Sequence, residues 1–117
     1  MEKYGSSVLP LELEITNRAA CFEAIAKAKA HFGNIDVVIN NAGTGVFGTV
    51  EELDEQEARD LIDANLFGTL WITQAALPIL RAQGSGHIIQ LSSPLGILER
   101  SGMGGQSLIM RAAPCIF

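Results

Sequence analysis

Apolar and polar residues alternate from Val8 to Ile15 (VLPLELEI), a period-two pattern that predicts a strand. Thr16 and Asn17 follow, and either side chain can cap a helix. Residues 18–32 then read as one helix, with Phe22, Ile25 and Phe32 spaced to share a face and Gly33 placed to stop it. Ile35 to Asn40 (IDVVIN) is a short, nearly all-apolar run, the pattern of a strand buried on both faces of a parallel sheet.

A glycine-bearing loop comes next. Asp54 with Glu57 three residues on resembles a capping box, and it opens a long helix from 55 to about 82. Leu61, Ile62, Leu66, Leu70, Ile72 and Leu77 give that helix its apolar face, and Pro78 is expected to kink it or to end its regular part. Gln83 to Gly86 makes a turn, and His87 to Leu91 (HIIQL) predicts a third strand that opens into Ser92 and Ser93. Strands alternating with helices in this way imply an α/β domain with a parallel sheet. After Gly96 no sustained period remains, and no internal repeat occurs.

Composition narrows the field. The 117 residues are 48% hydrophobic and 18% charged, a globular composition in a length that suits one domain. Net charge is −5 and the basic residues are scattered, which argues against nucleic acid or an anionic membrane as partner. Cys21 and Cys115 form neither a disulfide framework nor a metal-ligand spacing, so no metal site is expected. Met1-Glu2-Lys3-Tyr4 precedes no signal-like apolar core, and the most apolar region, Leu66 to Leu80, is interrupted by Thr69, Thr73 and Gln74. The expected location is cytoplasmic.

Gly43, Gly45 and Gly48 spell G-x-G-x-x-G straight after a predicted strand, the spacing of a dinucleotide loop. The alternative is a loop whose glycines tolerate positive φ. Thr49 to Leu53 separate the third glycine from the helix start. Glu51, Glu52, Asp54, Glu55 and Glu57 are poor company for a phosphate, and both points favour the plain loop.

Asn40-Asn41-Ala42-Gly43 at the end of a buried strand resembles the N-N-A-G motif of the short-chain dehydrogenase/reductase family. Leu13-Glu14-Ile15-Thr16 is similar to its L-D-V-T, with Glu replacing the family's Asp. Asp63-Ala64-Asn65-Leu66-Phe67-Gly68 resembles its N-l-f-G segment, and His87 to Gly96 its I-x-x-S-S-x-x-G strand end. The four motifs occur in family order over residues 3 to 105. The resemblance implies a truncated Rossmann-like, doubly wound parallel sheet of about three strands and two main helices, over residues 1–105, with a divergent tail at 106–117.

By resemblance, Ser93 and Asn65 are catalytic positions. Glu14, Ile15, Asn41, Ala42 and Gly43 line an NAD or NADP cofactor, and the activity is NAD(P)-dependent oxidoreduction of alcohols or carbonyls. From the residues alone, Asn65 reads equally as a buried polar link or as a solvent-facing edge residue, and Ser93 as a turn serine. The family is usually homo-oligomeric and pairs through the long helix, here 55–82. That leaves a second reading: a non-catalytic protein that associates through this helix.

Two family features are missing. Catalysis needs a tyrosine with a lysine four residues on, the lysine lowering the tyrosine pKa. Gln106 and Met110 occupy those places, Tyr4 is the only tyrosine, and no lysine follows Lys29. The T-G-x-x-x-G-x-G phosphate turn is also absent. The resemblance therefore implies a chain that is inactive alone and binds cofactor poorly, as a truncated or frame-shifted sequence would. It also implies a gap of two strands between 8–15 and 35–40, leaving only 35–40 and 87–91 as true neighbours.

Overall fold

A computed structural model describes residues 2–94. After a short 3-10 segment at Glu2–Ser7, the chain forms α1 (Arg18–Phe32), β1 (Val37–Asn40), a 3-10 turn at Val50–Glu52 and α2 (Glu55–Ile62). A π-helical turn at Asp63–Gly68 leads without a break into α3 (Thr69–Gln83), and β2 (His87–Gln90) follows. The strands pair in parallel, Val37 opposite His87 and Asn40 opposite Gln90.

Local chemistry sets these bounds. Asn17 caps α1, its Oδ1 accepting from the Ala20 N–H at 3.1 Å, and Gly33 closes the helix with φ 84°. Asp54 and Glu57 form the expected reciprocal capping box at α2, with bonds of 2.8 and 3.1 Å. Thr49 and Glu52 make a second one just upstream. Gly84, in the left-handed region at φ 73°, ends α3.

The core lies between α3, α1 and one face of the sheet. Ile35, Val38, Ala76 and Leu80 form its buried centre, with Ile25, Ala28, Ile72, Ile79 and Ile88 packed around them. At the foot of β1 the Gln83 amide brackets Ile35: its Oε1 accepts from the Ile35 N–H at 3.1 Å and its Nε2 donates to the Ile35 carbonyl at 2.8 Å. A side chain thus satisfies backbone groups that a neighbouring strand would otherwise take.

Four sequence expectations change. Residues 8–15 are not a strand: the sheet has two strands, because a strand exists by pairing and no partner lies beside that segment among the described residues. The 35–40 run is covered on one face only, with Val38 buried but Val37 49% and Ile39 59% exposed. In α1, Cys21 is the fully buried residue, whereas Phe32, the last residue of the helix, is 47% exposed and packs edge-on against the His31 ring. Pro78 does not end the long helix, which runs on to Gln83; the break from α geometry falls earlier, at Asp63–Gly68. Gln106 and Met110 lie outside the described residues.

Candidate functional site

The carboxyl ends of β1 and β2 lie side by side, tied by the Leu91 N–H donating to the Asn40 carbonyl at 3.0 Å. Ligands of open parallel sheets bind at this end. Asn41, Ala42 and Gly43 leave β1 exposed, while Ser93 leaves β2 half-buried. The fold brings both motif segments to one edge.

Asn65 is buried, at 9% exposure, and its amide grips the loop leaving β1. Its Oδ1 accepts from the Thr44 N–H at 2.8 Å and its Nδ2 donates to the Thr44 carbonyl at 2.9 Å. The wide π turn is where this residue sits, and its carbonyl accepts from the Thr69 hydroxyl at 3.2 Å. Single π turns inside α-helices often mark functional positions. Of the two sequence readings of Asn65, the buried polar link is the one observed.

The same contact explains Gly43. A Cβ there would stand 2.9 Å from Asn65 Oδ1, while the backbone φ is not positive. Close approach, not conformational freedom, demands glycine at this position. The rest of the G-x-G-x-x-G leads into the 3-10 turn at Val50–Glu52 before α2 begins, so none of its glycines opens an α-helix. Glu52 instead folds back on Thr49, whose N–H and hydroxyl hold its carboxyl below the usual range.

Of Glu14 and Ile15, only Ile15 contacts the π turn that bears Asn65. The exposed Glu14 carboxylate accepts from the Thr16 N–H at 3.1 Å and from its hydroxyl at 3.0 Å, and both bonds lower its pKa. Ile15 packs on the long helix at Gly68, where a Cβ would meet the Ile15 side chain at 2.9 Å. Its carbonyl accepts from the Cys21 thiol at 3.3 Å. Burial, reinforced by the Glu14 charge, raises the pKa of that thiol.

Beneath this surface Thr73 joins the two strands. Its hydroxyl, on a residue 6% exposed, accepts from Asn40 Nδ2 and from Gln90 Nε2, each at 3.2 Å. Sequence reading missed Thr73, Gln90, Gly68 and Gln83. For the first two a signal existed: polar residues interrupt apolar runs, a pattern that requires buried hydrogen-bond partners. Thr44 gave none, since only its backbone takes part.

The short chain dehydrogenase family pattern matches residues 1–105. The chain belongs to this family. It is 39% identical over 104 residues to oxidoreductase BOA17 of Botryotinia fuckeliana, covering 88% of this chain and 38% of that protein. It is 37% identical over 99 residues to an uncharacterized oxidoreductase of Schizosaccharomyces pombe, covering 79% and 42% respectively. The chain thus spans about two-fifths of the length of these curated relatives.

Among solved structures, a short-chain dehydrogenase from Streptomyces avermitilis matches with a TM-score of 0.80 at 35% identity, over 87% of this chain and 38% of that one. An alcohol dehydrogenase from Thermococcus sibiricus, solved with 5-hydroxy-NADP, matches at 0.82 and 31% identity, over 89% and 44%. The two strands, the long helix and the corner between them therefore sit in a Rossmann-like short-chain dehydrogenase framework.

A dinucleotide fits this corner in part. The Glu14 carboxylate and the 41–43 segment are both exposed, as contact with an adenine and its ribose would require. For the phosphates the described residues supply no basic side chain at the 43–57 loop and no α-helix N-terminus opening from that loop's glycines. The 43–57 loop therefore does not fit the phosphate half of a dinucleotide.

Proposed function

We propose that these 117 residues are part of an NAD(P)-dependent oxidoreductase acting on alcohols or carbonyls, and that they do not turn over substrate alone. The observation that carries this reading is the corner itself: the buried Asn65 clasps the loop after Asn41-Ala42-Gly43 beside the segment bearing Ser93. In the proposed assignment Asn65 and Ser93 are catalytic positions, and Glu14, Ile15, Asn41, Ala42 and Gly43 line the cofactor. Losing a proton-transfer group alone costs ~10²–10⁴ in rate, and this chain has neither a Tyr-x-x-x-Lys pair nor the phosphate turn. The test is steady-state oxidation of an alcohol panel with NAD and NADP, and reduction of a carbonyl panel with the reduced forms. No turnover above buffer is expected. Enzyme-level turnover abolished by Ser93→Ala would overturn the inactivity.

A second reading, self-association through the long helix, has its own support. Phe67, in the π turn, is 38% exposed and stacks on Trp71 of α3 with ring centroids 5.6 Å apart. Aromatic residues are enriched at the centres of protein interfaces.

A further inference from the structure

We infer that Gly68 is a positioning residue, through which the π turn at Asp63–Gly68 fixes the 14–16 segment relative to the loop that follows Asn41-Ala42-Gly43. This rests on the reading above that both segments line one cofactor, and it names what spaces them. Each segment meets the turn at a contact that only glycine allows. On one side a Cβ at Gly43 would stand 2.9 Å from Asn65 Oδ1. On the other a Cβ at Gly68 would stand 2.9 Å from Ile15 Cδ1, 3.0 Å from its Cγ1 and 3.2 Å from its Cβ. Gly68 has the φ of an ordinary right-handed helix, −55°, so its backbone would suit any residue. Glycine inside a helix is destabilising relative to alanine. What it provides here is closeness, because Ile15 fills the space that a side chain would take.

The ties around Ile15 make that contact a restraint on the whole segment. Its carbonyl accepts from the thiol of the fully buried Cys21 at 3.3 Å, and the Glu14 carbonyl accepts from the Asn17 N–H at 3.1 Å. Residues 14–17 are thereby bound to the start of α1. Arg18, the first residue of that helix, donates to Gln74 Oε1 of α3 at 3.4 Å. A push at Gly68 therefore moves Ile15 as part of a tied unit. It carries the Glu14 carboxylate along, since the Thr16 N–H and hydroxyl hold that group. On the opposite side Asn65 holds both backbone groups of Thr44. The wider i→i+5 turn spreads residues three apart further around the axis than an α turn does, so Asn65 and Gly68 meet two different neighbours. One turn of helix brackets both segments.

Amide exchange of the full chain, followed by NMR, tests this. Gly68→Ala is expected to speed exchange of the Thr44 N–H about tenfold, while the His87 N–H, bonded to the Asp36 carbonyl at the other end of the strands, changes by less than about twofold. Ile15→Ala makes room for the new methyl, so the double variant should return to within about twofold of wild type. Ile15→Ala alone leaves a gap in place of a clash; it should speed Thr44 about threefold, and it serves if Gly68→Ala does not fold. Adenosine, titrated in the millimolar range, reads the consequence for binding. It should shift the 14–16 and 41–43 amides of the wild-type chain together, and Gly68→Ala should need about tenfold more of it. Equal acceleration at Thr44 and His87, or none at Thr44, would overturn the bracket. So would faster exchange at Thr44 with adenosine affinity unchanged, because the turn would then position nothing. Absence of adenosine shifts in the wild-type chain, with Thr44 responding as expected, would overturn the cofactor assignment and leave the bracket standing.

Discussion

Both faces of the β1–β2 sheet carry apolar residues, and they differ in what they meet. On one face Val38 and Ile88 lie under Ile72, Ala76 and Leu80 and help to form the core. On the other, Val37, Ile39, Ile89 and Leu91 remain between 46% and 59% exposed. Parallel strands carry near-continuous apolar runs because both faces are normally covered. The second face therefore records a fold larger than the part described, in agreement with a chain that spans about two-fifths of its curated relatives. The covered face holds the carboxyl-end corner in place, through Thr73 below and Asn65 above.

The largest expected contrast lies between those faces. Leu80→Ala removes a buried anchor at a cost of about 2–5 kcal/mol, a large fraction of the reserve of a domain this size, and should leave the chain largely unfolded. Ile39→Ser on the bare face should change stability by no more than about 0.5 kcal/mol. Urea titrations of both variants check this, and comparable losses would dissolve the distinction.

Asn65→Ala comes next. It deletes both bonds to the Thr44 backbone and should cost about 1–3 kcal/mol, with faster amide exchange at Thr44. Gly43→Ala should cost about 1–2 kcal/mol by crowding Asn65 Oδ1. In the Asn65→Ala background that cost should largely vanish. Full additivity of the two would mean that Gly43 serves something other than this contact.

The smallest effect concerns pH. Burial raises the Cys21 pKa, so the stability contributed by its neutral thiol is complete below the unfolded-state value of about 8.5 and is lost as pH rises through the higher folded value. The alkaline limb of a stability profile should therefore flatten in Cys21→Ala. An unchanged limb would assign the loss to other groups.

Much of this architecture was legible along the chain. Helix 18–32 was bounded by Thr16 or Asn17 and by Gly33, and the Asp54–Glu57 box marked the start of the next helix, because caps are local chemistry. The strand expected at 8–15 failed because alternation shows only which residues can pair, while pairing itself needs a neighbour. The motif residues Asn41, Gly43, Asn65 and Ser93 could be singled out by resemblance. The contacts that arrange them could not: Thr44 takes part through its backbone, and the Gly68–Ile15 contact spans 53 residues of sequence. The π turn at Asp63–Gly68 likewise left no mark in the apolar period.

Asn65 and the loop after β1 assemble the corner, whereas the 43–57 loop carries no basic side chain for a dinucleotide's phosphates. Calorimetric titration of the purified chain with NADP and NADPH, repeated with NAD and NADH, tests it most directly. No saturable binding is expected in the micromolar range, because the adenine side alone lacks donors for the pyrophosphate. A clear micromolar isotherm that disappears in Gly45→Val would contradict it and place a phosphate site on the Gly43 to Gly48 loop.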